Sequence, residues 1–350
     1  MNRSCRVAAI LACSLLWCLL LVGARSSPAL GQGSGAARTF VDLAGRTVEL
    51  PAGITRVATL GPVPVLNSFV FALGRGDAIV NGLPYFAQTR RHQYQRRIAP
   101  ALSSLPVVQG PGHEPNMEAL IALRPDVVLT MDRALADALT NKGLRVLCLS
   151  WRNRDDMERT IVLLGEALER RDEARRYLEF LGETLGVVQS AVGSLPSSDR
   201  PRVLFLSLRM MSVPHLIGEW WITEGGGVSV TSDGRLTESL PVSPEQVLAW
   251  NPDILIVSAP VEIEQVYQEP RFRHVKAVRQ RRVHAIPAGA HPWGYRTAEQ
   301  PLTVLWAATL FHPGRVGDVD LTGAMKRFYV QFFRYQLSEE EAEEMLKGIP

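Results

Sequence analysis

Residues Asn153 to Leu195 read NRDDMERTIVLLGEALERRDEARRYLEFLGETLGVVQSAVGSL and form the segment around which the rest of the chain is arranged. It contains no proline, and its apolar residues recur every three or four positions, which is the spacing of a helix with one apolar face. Asn153 followed by Asp156 predicts the helix start, and the gap in the apolar stripe at 169–171 predicts a break with a second cap at Asp172. At 1.5 Å per residue the second segment would be about 30 Å long, which is enough to cross from one lobe to another.

Two segments on either side of this stretch repeat the same pattern. Residues 118–129 read EALIALRPDVVL, and residues 245–256 read EQVLAWNPDILI. Each runs from a glutamate, Glu118 or Glu245, through a short amphipathic helix to Pro-Asp and an apolar strand, with equal spacing in both copies. A single copy is ordinary for an α/β protein, but two copies more than about 100 residues apart indicate two similar lobes rather than a solenoid.

The first 31 residues have the layout of a secretory signal peptide. Arg3 and Arg6 precede an apolar run from Val7 to Val22, and small residues with candidate cleavage sites follow. The run is short for a membrane-spanning helix. The sequence therefore predicts export to the periplasm with residues 1–31 removed.

Removal of this segment changes the charge and the cysteine count. Three arginines leave with it, so the formal net charge falls from +3 to 0, and Cys148 is the one cysteine of four that remains. Cys148 lies in an apolar strand and is expected to be a buried, inert thiol. A neutral mature chain gives no reason to expect a nucleic-acid partner.

The rest of the mature chain alternates short apolar strands with helices. This alternation predicts mostly parallel sheets that are covered on both faces. The predicted fold class is α/β, with two parallel-sheet lobes joined by a single long helix and a ligand cleft between them. The predicted boundaries are an N-terminal lobe at 38–153, a linking helical segment at 154–195 and a C-terminal lobe at 200–350.

A series of motifs spans nearly the whole mature chain in order. They are Asp42–Pro51, Arg56–Leu60, Pro115–Asp126, Asn251–Asp253, Ala277–Pro287, Leu305–Ala307 and His312–Pro313. This succession resembles the helical-backbone substrate-binding proteins of bacterial ABC importers for ferric siderophores, haem and cobalamin. The chain departs from that family in an arginine-rich insertion, Phe86–Pro100, and in an extended C-terminal pair of helices.

The resemblance implies a function and partners. It implies a monomeric periplasmic protein, not an enzyme and without a cofactor, that captures an iron chelate, cobalamin or haem and delivers it to a permease dimer in the inner membrane. In that family one glutamate on each lobe docks into arginine pockets of the permease, and the matching positions here are Glu118 and Glu245. The alternative interpretation is that each glutamate is only a favourable first-turn charge on its helix.

Ligands of open α/β sheets lie beyond the carboxyl ends of the strands, so loops from both lobes are expected to face each other across the cleft. Arginines there would hold an anionic chelate, and aromatic rings would stack on a flat ligand. Trp293 is the preferred aromatic residue, because proline and glycine indicate a loop around it. The predicted ligand-binding residues are Tyr85, Arg133, Arg152, Arg209, Trp220, Trp293, Tyr295 and Arg296.

Other functions remain open at this stage. His113, His215 and His291 lie in expected cleft loops, which keeps a bare metal ion as an alternative ligand, and an oxyanion is also compatible with the arginines. An exported enzyme is the alternative from another class, although the sequence has no Walker A motif, no Gly-x-Ser-x-Gly elbow and no His-Glu-x-x-His. The identity of the ligand does not follow from the sequence.

Overall fold

The computed structural model describes residues 37–316 and 318–348. The predicted signal peptide lies outside these ranges and stays a prediction. Within them, no helix is both long enough and apolar enough to cross a membrane.

The strands are β1 Arg38–Val41, β2 Thr47–Leu50, β3 Val57–Thr59, β4 Val127–Thr130, β5 Val146–Cys148, β6 Arg202–Leu206, β7 Ser212–Val213, β8 Val228–Ser229, β9 Leu240–Pro241, β10 Ile254–Val257 and β11 Val283–Ala285. The helices are α1 Val63–Ala72, α2 Gln93–Ile98, α3 Met117–Ala122, α4 Arg133–Thr140, α5 Arg154–Ala167, α6 Arg171–Val192, α7 His215–Glu224, α8 Pro244–Trp250, α9 Pro260–Gln268, α10 Lys276–Arg279, α11 Gln300–Phe311, α12 Pro313–Val316, α13 Leu321–Phe328 and α14 Glu339–Leu346, with a π-helical turn at Tyr329–Phe333.

Each lobe is built on one parallel sheet. The first sheet has the order β3-β4-β5, and the second has the order β11-β10-β6-β8, with every neighbouring pair parallel. Two antiparallel pairs, β1 with β2 and β7 with β9, lie outside these sheets. The predicted two-lobed α/β class is confirmed.

Apolar side chains cover both faces of each sheet. In β4, Val127 and Leu129 belong to a large inner cluster, whereas Val128 belongs to an outer cluster of the first lobe. In β10, Ile254 and Leu255 divide in the same way between the inner cluster and an outer cluster of the second lobe. This division follows from the two-residue period of a strand. The inner cluster contains residues of both lobes, so the two sheets share one apolar core.

The central segment consists of two helices. The Asn153 side chain accepts a hydrogen bond from the Asp156 backbone N–H at 2.9 Å, which confirms the predicted start. Glu169, with φ of +57°, ends the first helix and confirms the break. The predicted second cap is wrong, because Asp172 lies in the first turn of α6 and its carboxylate pairs with Arg175 at 3.1 Å. Helix α5 packs along α6, and α6 contacts α1 of the first lobe as well as α7 and α11 of the second.

The repeat detected in the sequence is also a repeat of contacts. A carboxylate oxygen of Asp126 accepts from the Arg56 backbone N–H at 2.9 Å, and one of Asp253 accepts from the Arg202 N–H at 2.8 Å. Each of these arginines also donates from its guanidinium to a carbonyl at the end of α3 or α8. The Pro-Asp turn therefore ties the helix to the neighbouring strand in the same way in both lobes.

The C-terminal segment packs back on the first lobe. The rings of Phe71 and Phe333 meet edge to face with centroids 6.0 Å apart, and Arg97 of α2 pairs with Glu341 of α14 at 2.6 Å. The predicted C-terminal range, 200–350, thus includes residues that contact the N-terminal lobe. This contact is a second connection between the lobes in addition to α6.

Candidate ligand-binding site

A cavity of about 750 Å³ lies between the lobes at the carboxyl ends of the strands. The first lobe lines it with residues that follow β3, β4 and β5, namely Pro62, Met131, Arg133, Ser150 and Arg152. The second lobe lines it with residues that include Ser207 after β6, together with Met210, Glu238, His291, Tyr295 and Arg296. Because parallel strands end at one edge, residues far apart in sequence converge there.

Three of the predicted arginines line this cavity. Arg296 is the most enclosed: its Nε donates to the Trp151 carbonyl at 2.6 Å, and its guanidinium carbon lies 5.5 Å from the centre of the Trp151 ring. Arg152 and Arg133 lie on the opposite wall, and their side chains are more exposed. An acidic side chain, Glu238, forms an ion pair with Arg296 and lies 3.8 Å from Arg152.

Tyr295 lines the cavity beside these arginines. Its hydroxyl lies 3.0 Å from the Ser258 hydroxyl, and its ring packs edge to face against Phe205 with centroids 5.5 Å apart. The Gln300 side-chain amide donates to the Tyr295 carbonyl at 2.6 Å. Both the ring and the backbone of Tyr295 are therefore fixed.

A buried carboxylate organises the loop that carries Tyr295 and Arg296. Glu299 is fully buried and accepts hydrogen bonds from the Trp293 indole N–H at 3.0 Å, from the His291 backbone N–H at 3.0 Å and from the hydroxyls of Thr297 and Tyr329. Burial raises the pKa of Glu299, while the hydrogen bonds from Tyr329 and Trp293 oppose the rise. The donors compensate for the removal of this carboxylate from water.

The structure does not bring four of the predicted ligand residues to the cavity. Trp293 is 0% exposed and belongs to the core, so its predicted role as a stacking residue is corrected: its loop folds inward over Glu299. Trp220 packs partly buried against the core, and Tyr85 is 76% exposed but does not line the cavity. Arg209 is absent from the lining, and its backbone N–H donates to Glu262 at 3.3 Å.

The arginine-rich insertion fills space between the lobes, which the sequence did not predict. The Arg91 guanidinium donates to the Ser258 carbonyl, and the Gln95 side-chain amide donates to the Ala290 carbonyl at 2.8 Å. Phe86, at the start of the insertion, lines the cavity in place of its neighbour Tyr85. Nothing in the sequence pattern distinguishes Phe86 from Tyr85 as the aromatic residue that lines the cavity.

The histidines do not converge on a metal site. His215 is fully buried with its Nε2 2.9 Å from Glu219, whereas His113 packs against the Phe86 ring with centroids 4.9 Å apart. His291 lies beside His92 with ring centroids 5.6 Å apart, and burial lowers the pKa of His92 to about 4 and that of His291 well below its usual value. Among the residues that the structure describes, no group of three or more His, Cys, Asp or Glu side chains is placed to hold a metal ion.

The two predicted docking glutamates occupy equivalent positions. Glu118 and Glu245 are exposed, and each is the second residue of its helix, α3 or α8. Both helices are capped by a side chain, that of Asn116 or Ser243. An exposed aliphatic residue follows each glutamate one turn later: Ile121 in α3 and Leu248 in α8.

Residues 69–290 match the sequence profile of the periplasmic binding protein family, and the chain belongs to this family. It is therefore the solute-binding component of an ABC transporter, as the resemblance in the sequence implied. Known relatives of this chain are themselves transport binding proteins.

Three similar proteins illustrate the range of the family. The chain is 23% identical over 331 residues to the molybdate-binding protein MolA of Haemophilus influenzae, covering 87% of this chain and 93% of the relative. The structure of MolA bound to molybdate superposes with a TM-score of 0.76 at 21% identity, over 86% of this chain and 99% of that one. A periplasmic solute-binding protein of Veillonella parvula gives a TM-score of 0.75 at 26% identity over 89% and 97% of the two chains. CeuE of Helicobacter pylori, in a Ni-His complex, gives 0.73 at 19% identity over 89% and 99%, which indicates the shared fold.

Proposed function

We propose that this protein binds an anionic metal chelate, of the size of a ferric siderophore or haem, in the periplasm and delivers it to an inner-membrane permease. The observation that carries the proposal is the convergence of Arg133, Arg152 and Arg296 from both lobes on one cavity. Guanidinium groups offer paired donors to carboxylate or catecholate oxygens. The two walls together would then clamp one ligand.

The size and the apolar part of the cavity favour a chelate over a small inorganic ion. A volume of about 750 Å³ lies within the range of sites for small organic molecules. Phe86, Met131 and Met210 line it beside the arginines and supply flexible or aromatic surface for the organic part of a chelator.

A second candidate is an oxyanion, and the similarity to the molybdate-binding protein MolA favours it. The same arginines and the hydroxyls of Ser150, Ser207 and Ser239 would supply its donors. A single tetrahedral oxyanion would leave most of this cavity to water, so this candidate requires the walls to approach each other.

Purification from the native periplasm followed by calorimetric titration separates the two candidates. A bound chelate predicts visible absorbance and metal in the purified protein, and saturable binding of haem or ferric tris-catecholate. Molybdate binding with no response to either chelate would replace the main proposal by the second. Turnover of the bound molecule would contradict both, because a carrier returns its ligand unchanged.

The proposed partner is a two-fold permease that receives Glu118 and Glu245. The support is the equivalence of the two exposed carboxylates, which occupy the same helical position and are each followed one turn later by an exposed aliphatic side chain, Ile121 or Leu248. Two like surfaces on one monomer fit two like subunits of a symmetric partner. The helix dipole alone explains an acidic residue at each site but not this shared surface.

A further inference from the structure

The carboxylate of Glu238 lies against two of the arginines that line the cavity, Arg152 and Arg296. Glu238 lies in the loop between β8 and β9, and its two oxygens are approached from opposite walls. Arg296 of the second lobe forms an ion pair with one oxygen, and the Arg152 Nε of the first lobe lies 3.8 Å from the other. The Glu238 carbonyl accepts from the His215 backbone N–H at 3.2 Å, which anchors the loop at the start of α7.

Two acidic residues line the cavity, and Glu238 is the one whose carboxylate faces arginine side chains. The other acidic lining residue, Asp132, caps α4 by accepting from the Leu135 backbone N–H at 2.9 Å. Glu238 is therefore the carboxylate that meets Arg152 and Arg296, whereas the Arg133 Nε lies 3.9 Å from a carboxylate oxygen of Asp137. Arg296 is also bound to the Trp151 carbonyl of the first lobe, so this ion cluster bridges both lobes.

The side chain of Glu238 is the more exposed member of its ion pair with Arg296. It is 48% exposed, whereas that of Arg296 is only 19% exposed. The arginine is therefore the enclosed partner, held also by the Trp151 carbonyl, and the glutamate is the partner that solvent and competing anions can reach. An exposed ion pair of this kind is weak enough to exchange for another anion.

We propose that Glu238 is an internal counter-ion that holds the anion site of the cavity until an anionic group of the ligand displaces it. This inference rests on the proposed anionic ligand and refines it. A ligand must outcompete a tethered carboxylate, so a single weak anion such as chloride is excluded. A ligand with several oxygens can replace Glu238 at Arg152 and Arg296 and also reach Arg133. Glu238 thereby sets the minimum negative charge that a ligand needs in order to bind.

The test compares sulfate binding by the wild type with that by Glu238→Gln and Glu238→Ala, using calorimetry and the sulfate-induced rise in melting temperature. If Glu238 occupies the arginines in about nine molecules of ten, its removal strengthens apparent sulfate affinity about tenfold, since apparent Kd scales inversely with the competent fraction. Glu158→Gln is the matched control, because Glu158 is also paired with an arginine, Arg154, at 2.6 Å but lies outside the cavity. It is expected to leave sulfate binding unchanged.

A second substitution localises the effect. Adding Arg296→Ala to Glu238→Gln is expected to abolish the gain in sulfate affinity. Unchanged or weaker sulfate binding by both Glu238 variants, or a gain that survives the loss of Arg296, would overturn the inference. If the sulfate gain appears but ferric tris-catecholate and haem bind to neither the wild type nor the variants, the proposed ligand class fails and the counter-ion role of Glu238 stands.

Discussion

The two walls of the cavity differ in how firmly their arginines are held. On the second lobe, Arg296 is 19% exposed and lies in the loop whose backbone is fixed by the buried Glu299. On the first lobe, Arg133 and Arg152 are 69% and 58% exposed. Similar sheets thus carry one preorganised wall and one adaptable wall. The repeat in the sequence therefore specifies the frame of each lobe but not how firmly its binding loops are held.

The largest expected effect comes from removing the support of the fixed wall. Glu299→Ala leaves the buried donors of Trp293, His291 and Tyr329 without their acceptor. We expect a loss of about 3 to 5 kcal/mol in the free energy of unfolding, measured with a chemical denaturant. The control Glu183→Ala removes an exposed carboxylate of α6 and is expected to change little. A loss below about 1 kcal/mol for Glu299→Ala would show that the wall is held by other contacts.

The second effect concerns His92 of the insertion, which is a buried residue of the first lobe, unlike the exposed Arg133 and Arg152. Burial lowers the pKa of His92 to about 4, so its neutral form is favoured in the folded state. In the unfolded chain, His92 binds a proton as the pH falls below about 6.5. In the folded protein, it stays neutral until the pH reaches about 4. Stability is therefore lost between these values, by up to about 3 kcal/mol from this residue. Below this window both states are protonated and the residue causes no further loss.

Denaturant unfolding at pH 7.5, 5.5 and 4.5 measures this loss in the wild type and in His92→Asn. The variant is expected to show a shallower decline. His291 also has a lowered pKa, so part of the decline is expected to persist. Equal slopes in the two proteins would mean that His92 titrates as an exposed residue.

The third effect compares the two walls directly. Arg296→Ala is expected to weaken binding of an anionic chelate by about 1 to 3 kcal/mol, the scale of a charge-assisted hydrogen bond in an enclosed site. Arg133→Ala is expected to cost less than about 1 kcal/mol, because its exposed side chain must be ordered by the ligand. Calorimetric titration of each variant gives the two values. Equal losses would remove the distinction between a fixed and an adaptable wall.

The smallest effect tests the surface on which the lobes are alike. Glu118→Ala and Glu245→Ala are each expected to lower uptake in reconstituted vesicles severalfold or less, with similar values for the two, since rim charges mainly affect association. The double variant is expected to lose more, while ligand affinity and folding stay unchanged. Full uptake by the double variant at limiting binding-protein concentration would contradict the docking role. The two glutamates would then be only favourable charges in the first turn of their helices.

The features of the fold that depend on near neighbours could be predicted. The apolar stripe of α6, the break at Glu169 and the cap at Asn153 are local properties, with partners within a few residues. The repeat around Pro125 and Pro252 likewise indicated the two lobes, because its spacing survives in the sequence. Of the residues predicted to bind the ligand, Arg133, Arg152, Tyr295 and Arg296 line the cavity, because each follows a strand or lies in a loop at the same edge of the sheets.

Local sequence patterns were thus enough to predict a two-lobed α/β frame around one helix and the family to which the motifs belong. Three contacts became visible only in the folded chain: Trp293 turns inward to Glu299, the insertion carries Arg91 to Ser258, and Glu238 meets Arg152. The last two contacts join residues of different lobes, and even the first depends on a loop folding over a buried carboxylate. Periodicity and capping report the local environment of a residue, whereas burial and ion pairing depend on which distant segment arrives beside it.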